Sequence, residues 1–313
     1  LRLIPEDLDL AQLLDDLYRE QVAGVYVPED AVLYVGGGAR DPSPLQRSIL
    51  AHEITHALQD QHFDLAGFVD LPDERADEQL ARIALVEGDA TLTQQLWALE
   101  HLTGAQQGEL LDEAFAIDTA VLDSAPEAIA RSLSFPYIEG AQFAVALFQQ
   151  GGMAALDDAF ANPPTTTEHI LHPDRYLAGE PAVAVQTASS PGDGWSEIER
   201  GGLGEFDVQL IFDPLGRADA AQVADGWGGG ELAAWDRDGD LALAVSLAFD
   251  SAADATEACQ AIPRWYSEPA DASSVGAGVL QSNRDWLAFT CSGDRVAFGL
   301  GPDEATARAL VAG

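Results

Sequence analysis

The chain has 313 residues, of which 53 are acidic and 15 are basic, and every basic residue is an arginine. The resulting net charge of −38 argues against nucleic acid or an anionic membrane as the main partner, because both would repel the protein. Apolar residues make up 47% of the chain, enough for two domains, but they form no run long enough to predict a membrane span.

The first predicted element is a β-hairpin. Its strands are "VAGVYVP" (22–28) and "AVLYVG" (31–36), joined by Glu29-Asp30 and closed by glycines 36–38. An edge strand of this hairpin is a hypothetical binding site for an extended peptide by strand addition.

A helix is predicted to begin at Pro44. Ser43 is a suitable N-cap and Gln46 completes a capping box. Farther along, Leu50, Ile54 and Leu58 recur every fourth residue and predict an apolar stripe.

The same helix carries the motif His52-Glu53-x-x-His56. A spacing of four residues places both imidazoles on one helical face, with the carboxylate at its edge. This arrangement is typical of a site in which two histidines hold zinc and the glutamate acts as general base. The alternative is an ordinary helix with two surface histidines.

His62 is a candidate for the third ligand, but the spacing disfavours it. Proteases that use a third histidine at this distance break the helix at a glycine. Here Gln59 occupies that position and favours a continuous helix, on which His62 would lie about 120° from the row of His52 and His56.

Glu87 is the preferred third ligand. Residues 73–104 are predicted to form one helix that is capped by Asp73 and ends at Gly104, with Glu87 on an apolar face. A carboxylate there needs a cation, either the metal or an arginine in an ordinary salt bridge. Gly88 costs up to ~1 kcal/mol in a helix, which predicts a close approach of a second backbone.

The segments "AHEITHALQDQHFDL" and "ALVEGDAT" resemble a family of mostly uncharacterised, gluzincin-like predicted zinc metallopeptidases of bacteria and archaea. Similar stretches extend the resemblance to about 20–180; they are "VAGVYVPEDAVLYV", "FPYIEGAQFAVALFQQGG" and "PPTTTEHILHPDRYLAGE". The resemblance implies a zincin-like domain in which His52, His56 and Glu87 bind Zn²⁺.

It also implies that Glu53 is the general base toward a metal-activated water. An oxyanion-stabilising side chain is expected as well. Thr165 and Glu168 predict a capping box for a short helix that displays His169 and His172 and ends at Pro173.

The preferred oxyanion candidate is His172. The motif of the family that the chain resembles carries glutamine where His169 stands, which disfavours His169. Tyr137 and Tyr176 are weaker candidates. Asp60, one turn beyond His56 on the same row, is the predicted carboxylate partner of that imidazole, with Asp89 as the alternative.

The predicted fold class is α+β. A mainly helical, zincin-like domain (1–180) with a small N-terminal hairpin is followed by a linker (181–196) and an antiparallel α+β domain (197–313) of unknown role. In the last domain we expect two short helices, a hairpin around Asp238-Gly239, a helix at 251–265, further strands and a final helix opening at Pro302, with the helices on one face of the sheet.

Two features of the sequence bear on the cellular location of the protein: its cysteines and its first residue. Cys259 and Cys291 form either two buried thiols or a disulfide, and export would favour the disulfide. The chain opens at Leu1, so we expect an upstream signal or anchor segment and an extracellular or cell-envelope location.

The sequence thus predicts a secreted, zinc-dependent peptidase that acts on peptide or protein substrates. One alternative is a zincin-fold envelope or binding protein with structural zinc and little turnover. The other is a metal-dependent hydrolase of a non-peptide bond.

Overall fold

The computed structural model describes residues 3–5, 7–21, 24–35, 41–267 and 272–312, and it is an α+β structure. Its α-helices are α1 (Leu10–Gln21), α2 (Pro44–Phe63), α3 (Leu65–Val69), α4 (Ala76–His101), α5 (Gly104–Phe115), α6 (Ala120–Ser124), α7 (Glu127–Gly151), α8 (Met153–Ala161), α9 (Thr167–Leu171), α10 (Pro173–Ala178), α11 (Glu205–Phe212), α12 (Arg217–Ala224), α13 (Ala252–Ser267) and α14 (Glu304–Ala309).

The strands fall into two sheets. A two-stranded sheet holds β1 (Gly24–Val27) and β2 (Val32–Val35), and a seven-stranded sheet has the order β3-β4-β5-β9-β8-β7-β6. The strands of the larger sheet are β3 (Ser196–Gly202), β4 (Trp227–Arg237), β5 (Asp240–Phe249), β6 (Ser273–Gly276), β7 (Val279–Gln281), β8 (Trp286–Ser292) and β9 (Arg295–Gly301).

The chain divides into two compact units. Unit 1 comprises residues 1–71, 78–165 and 169–176, and unit 2 comprises 72–77, 166–168 and 177–313. Two short segments, 72–77 and 166–168, interrupt unit 1 along the sequence and belong to unit 2. Within the described residues, no helix combines the length and the apolar character that crossing a membrane requires.

The hairpin of unit 1 confirms the sequence prediction. β1 and β2 pair antiparallel, with Gly24 opposite Val35 and Val27 opposite Val32. A single turn of 3-10 helix, Pro28–Asp30, connects them. Residues 22, 23 and 36, which the prediction included, lie outside the described residues.

The helix α2 begins as predicted. Ser43 accepts a hydrogen bond from the Gln46 N–H, and the Gln46 side chain accepts one from the Ser43 N–H, so the capping box is complete. The helix continues without a break past Gln59 to Phe63.

The predicted apolar stripe of α2 is not the buried face of that helix. Ile54 and Leu58 are 44% and 51% exposed. The buried side chains of this helix are instead mostly polar: Ser48, His52, Thr55 and Gln59. The buried face of α2 can be polar because it packs against α4, whose polar groups satisfy its hydrogen-bond donors and acceptors.

The predicted helix over 73–104 is shorter at both ends: a 3-10 turn, Asp73–Arg75, precedes α4, which runs from Ala76 to His101. Gly104 does not terminate α4 as a C-terminal glycine. It opens α5, because Thr103 forms a capping box with Gln106 and restarts the helix. Likewise, the short helix expected from Thr165 begins at Thr167, and Pro173 starts the next helix, α10.

Unit 2 is built on the seven-stranded antiparallel sheet. Its central hairpin, β4–β5, turns at Asp238 and Gly239, whose φ values of 56° and 92° match the positive φ that a two-residue hairpin turn requires. The helices α11, α12, α13 and α14 occur where the sequence predicts them. β3, the edge strand, was not predicted.

Helices cover both faces of this sheet, so the expected one-sided arrangement is wrong. On β9, Phe298 packs against Trp265 of α13, with ring centroids 5.4 Å apart. The next residue, Gly299, lies against Leu310 and Ala307, at the end of α14. Since successive residues of a strand point to opposite faces, α13 and the α14 region flank the sheet from both sides.

A disulfide links Cys259 on α13 to Cys291 on β8, across 32 residues of sequence. Of the two alternatives that the sequence left open, the structure has the disulfide.

Candidate metal centre

Three side chains of unit 1 converge on one point. His52 and His56 come from α2 and Glu87 comes from α4. His52 Nε2 lies 3.2 Å from Glu87 Oε2, His56 Nε2 lies 3.4 Å from the same oxygen, and the two Nε2 atoms are 3.0 Å apart. The side chains are only 11%, 12% and 18% exposed, in that order. These residues could hold a metal ion, as the sequence predicts.

The two helices are tied together along this point by polar contacts. Gln94 of α4 donates to Ser48 Oγ, and Gln59 donates to the Val86 carbonyl. Early residues of one helix therefore meet late residues of the other, so α2 and α4 run in opposite directions past the site.

The charges of the triad stabilise one another. Burial alone would raise the pKa of Glu87, but hydrogen bonds from His52 and His56 and their positive charge outweigh it and lower the pKa to about 2. Burial opposes protonation of His56, yet the hydrogen bond and negative charge of Glu87 raise its pKa. The centre therefore carries a carboxylate that attracts positive charge.

A glutamine and an aspartate orient His56. Gln59 Oε1 lies 2.9 Å from His56 Nδ1, while Gln59 Nε2 donates to the Val86 carbonyl and to Asp89 Oδ2. Because the amide nitrogen is held by two acceptors, Oε1 must face the imidazole and accept from Nδ1–H. With Nδ1–H held by Gln59, loss of the proton on Nε2 would expose the lone pair that a metal ligand requires.

The predicted pairing of His56 with Asp60 is wrong. Asp60 Oδ2 instead accepts the Tyr26 hydroxyl at 2.7 Å, and Oδ1 accepts the Leu65 N–H at 3.1 Å. Asp89, the alternative, acts on His56 through Gln59 rather than directly. Burial is the main reason that the pKa of Asp89 is raised.

Glu53 is held by the hairpin. The backbone N–H of Tyr26 points away from β2 toward α2. It donates a hydrogen bond to Glu53 Oε2, at a distance of 2.7 Å. Tyr26 thus contacts α2 twice, at Glu53 through its main chain and at Asp60 through its hydroxyl. These contacts place the carboxylate of Glu53 next to the row of His52 and His56.

The close backbone approach predicted at Gly88 is confirmed. A Cβ on Gly88 would lie 2.1 Å from the Gly140 carbonyl oxygen, and a Cβ on Gly140 would lie 2.2 Å from the Ala84 oxygen. Paired glycines on α4 and α7 therefore let the two helices cross in direct backbone contact beside Glu87.

Tyr137 of α7 lies beside the triad. Its ring stacks with that of His52 at a centroid distance of 6.3 Å, and its side chain is 48% exposed. His62 is exposed, its Nδ1 lies 2.7 Å from the Leu58 carbonyl, and it does not belong to the cluster, which agrees with its rejection from spacing.

The other aromatic candidates lie around α9 and α10. His169 is buried and packs edge-on against Tyr176 at 5.8 Å, and Tyr176 donates its hydroxyl to the Asn162 carbonyl. Tyr176 is therefore occupied by structural contacts. His172 immediately precedes α10, where its carbonyl accepts the N–H groups of Arg175 and Tyr176; its side-chain role stays a prediction.

Sequence reasoning did not assign Gln59 or Tyr26 to the site. Gln59 sits three residues after His56, so the spacing that brings two side chains together on one helical face was the available signal. Tyr26 acts through its main chain, which gives no signal in the sequence.

Comparison with known protein families matches the C-terminal part of the chain. Residues 186–311 match a family model described as a domain of unknown function, DUF8575, and this range lies within unit 2. It does not include the triad. Neither the curated proteins nor the solved structures contain a significant match to the chain.

Proposed function

We propose that this protein is a zinc-dependent peptidase whose metal ligands are His52, His56 and Glu87. The observation that carries the proposal is the geometry of the triad. Ligands at ~2.0–2.1 Å in a tetrahedral zinc site stand about 3.3 Å from one another. The three separations in the triad, 3.0, 3.2 and 3.4 Å, fall around that value.

The donor set also fits. Two imidazoles and a carboxylate are the protein ligands of many catalytic zinc sites, in which a fourth position stays open. The tautomer of His56 set by Gln59 supports ligation through Nε2. Zinc bound there would supply a Lewis acid that polarises the scissile carbonyl and makes water a stronger acid.

Glu53 supplies the proton transfers. It takes a proton from the attacking water and passes it to the amine that leaves. Because the Tyr26 N–H already bonds to Oε2, we assign the proton exchange to Oε1. The same hydrogen bond keeps the carboxylate from swinging away from the substrate.

The developing oxyanion needs a donor. Tyr137 is the better supported candidate because its ring lies against that of His52. His172, the choice from sequence, is retained as the second candidate. A zincin-like fold for unit 1 and an extracellular or envelope location belong to the same proposal; the disulfide of unit 2 suits an oxidising compartment.

The test combines metal analysis with proteolysis. The purified protein is expected to bind one zinc and to cleave a denatured protein or peptide library, and chelation should abolish cleavage. Glu53→Gln should keep the metal and lower kcat by roughly 10²–10⁴-fold, whereas Glu87→Ala should lose both metal and activity. His62→Ala, on the same helix, is the matched control.

Two outcomes would overturn the proposal. Cleavage that survives both Glu53→Gln and chelation would exclude this chemistry. Zinc that only raises the melting temperature, with no peptide cut, would favour the binding-protein alternative, and cleavage of esters or cell-wall amides alone would favour the other hydrolase.

A further inference from the structure

A cavity of about 770 Å³ lies beside the triad, within unit 1. His56 and Glu87 form part of its wall. Its volume is within the range of ~300–1,000 Å³ that is typical of ligand pockets. A group bound in this cavity would therefore lie next to the candidate metal ion.

The wall beyond the triad is largely apolar. Leu65 and Val69 line it from α3, and Ile83 and Val86 line it from α4. Leu65 and Val86 are 4% and 6% exposed, so these parts of the wall are fixed by packing. A surface of this kind favours an unbranched aliphatic stem.

Two carboxylates line the same cavity. Glu29 stands in the connection of the hairpin and Asp70 directly follows α3, and both are exposed. Within the described part of the chain, neither carboxylate has a hydrogen bond or an ion pair. Among the described residues, none of those that line the cavity is an arginine, and the nearby Arg82 is engaged by Glu78 and the Phe68 carbonyl.

We propose that this cavity receives an arginine or lysine side chain next to the bond that is cut. The inference rests on the proposed peptidase function and adds the class of substrate. The aliphatic stem packs on Leu65, Val69 and Ile83, while the cation meets Glu29 and Asp70. The cavity provides the binding site, and the two carboxylates make it selective for a positively charged side chain.

The net charge of the whole chain acts in the same direction. At −38, the protein attracts cationic peptides and repels acidic ones before any contact forms. This long-range attraction would favour any basic peptide, so the experiment must separate it from recognition in the cavity.

The test uses internally quenched peptides that differ at one position, which carries arginine, citrulline or glutamate. Citrulline has nearly the shape of arginine without the charge. Placing the variable residue in turn on each side of the bond finds the position that reaches the cavity. We expect kcat/KM to be at least 10-fold higher for arginine than for citrulline at that position, and lower still for glutamate.

Two variants separate the cavity from the overall charge. Glu29→Gln combined with Asp70→Asn should bring the arginine-to-citrulline ratio of kcat/KM close to 1. Glu109→Gln, which removes an exposed carboxylate on α5, is the control and should keep the wild-type ratio. An unchanged ratio in the double variant would overturn the proposal, as would equal cleavage of the arginine and citrulline peptides by the wild type.

A binding measurement distinguishes failure of this inference from failure of the proposed function. Fluorescence anisotropy with the zinc-loaded Glu53→Gln protein reports peptide affinity without cleavage. Tighter binding of the arginine peptide, lost in the double variant, would support the cavity even if the wild type cut nothing. Equal affinities would overturn it even if the wild type were an active peptidase.

Discussion

Gln59 controls which nitrogen of His56 can bind a metal. Its amide nitrogen is held by Val86 and Asp89, and its oxygen therefore accepts from the imidazole. At the scale of single residues, replacing Gln59 removes this contact without changing any of the three candidate metal ligands.

We therefore predict that Gln59→Leu weakens zinc binding by roughly 10–100-fold, the usual effect of losing a group that orients a ligand. Competition with a chromophoric chelator measures the affinity. His62→Ala, an exposed position on the same helix, should bind zinc as the wild type does. Wild-type affinity in Gln59→Leu would show that the tautomer needs no help from this residue.

Asp77 is a buried carboxylate of unit 2. It accepts the N–H and the hydroxyl of Thr167, and its Oδ1 occupies the space that a Cβ on Gly204 would need. Burial, followed by the negative charge of Asp207, raises its pKa from 3.8 to about 7. The pKa of Asp207 is raised by burial to about 6.

The sign of the pH effect follows from that shift. The folded state holds the Asp77 proton more tightly than the unfolded state does, so its contribution is fully present below pH 3.8 and is lost as the pH rises toward 7. Asp77→Asn keeps an acceptor for Thr167 but cannot ionise. We predict that it becomes increasingly stable relative to the wild type between pH 4 and 7.

Urea unfolding at several pH values measures this difference. Asp193→Asn, which changes an exposed carboxylate of unit 2, should follow the wild type at every pH. If the difference between Asp77→Asn and the wild type did not change with pH, Asp77 would titrate at its ordinary pKa.

Part of the site was predictable from the residues, and part was not. His52, His56 and Glu87 follow from helical spacing and from the cost of an isolated carboxylate on an apolar face, and the three side chains do meet. The Asp60 prediction failed because spacing along one helix does not reveal competing donors from another element, here the hydroxyl of Tyr26.

At the scale of elements, the crossing of α4 and α7 fixes the position of Glu87. Because neither Gly88 nor Gly140 has a side chain, the backbones of α4 and α7 lie directly against each other. The two helices cannot keep this distance if either glycine acquires a Cβ.

Gly88→Ala is predicted to destabilise unit 1 by roughly 1–3 kcal/mol or more, because the new Cβ would meet the Gly140 oxygen. It should also weaken zinc binding by displacing Glu87. Gly108→Ala is the matched control: that glycine lies within α5 with no atom within 4 Å of a Cβ. The control should gain up to ~1 kcal/mol. Thermal unfolding and zinc titration of both variants check the prediction.

The disulfide joins a helix to a strand in unit 2. Closing a loop of 32 residues reduces the entropy of the unfolded chain and stabilises the folded one by about 3–4 kcal/mol. We predict a loss of that size in the double variant Cys259→Ala with Cys291→Ala, measured by urea unfolding. Loss of the bond in the wild type on treatment with a reductant should have the same effect, and unchanged stability in both cases would contradict it.

Elements were predictable where local chemistry specified them. The capping box at Ser43, the turn at Asp238-Gly239 and the helices of unit 2 all have local signals. The buried polar face of α2 lacks such a signal, because only the opposing α4 shows that Ser48 and Gln59 have partners. Which face of the sheet receives α14 also depends on distant residues, so the one-sided arrangement was a wrong inference.

At the scale of the whole molecule, charge is the dominant feature. Fifty-three acidic groups face fifteen arginines, and the net charge of −38 gives a large self-repulsion in the folded state. Salt shortens the Debye length from about 10 Å at 0.1 M to about 3 Å at 1 M.

We predict that the melting temperature rises between 0.1 M and 1 M NaCl. Differential scanning fluorimetry measures it, and a matched series in sucrose separates screening from a general solute effect. A melting temperature that falls or stays constant over this range would mean that ion pairs, such as those of Arg200 with Glu197 and Glu231, outweigh the repulsion.

The hydrogen bond from the Tyr26 amide to Glu53 has a consequence for how this protein can be dissected. An alanine substitution at position 26 leaves that donor in place. It would therefore report only the loss of the phenol and not the hydrogen bond to the Glu53 carboxylate. Only a change in the chain itself, such as an amide-to-ester replacement at residue 26, removes the donor while sparing every side chain. For the same reason, every residue except proline would keep this donor at position 26.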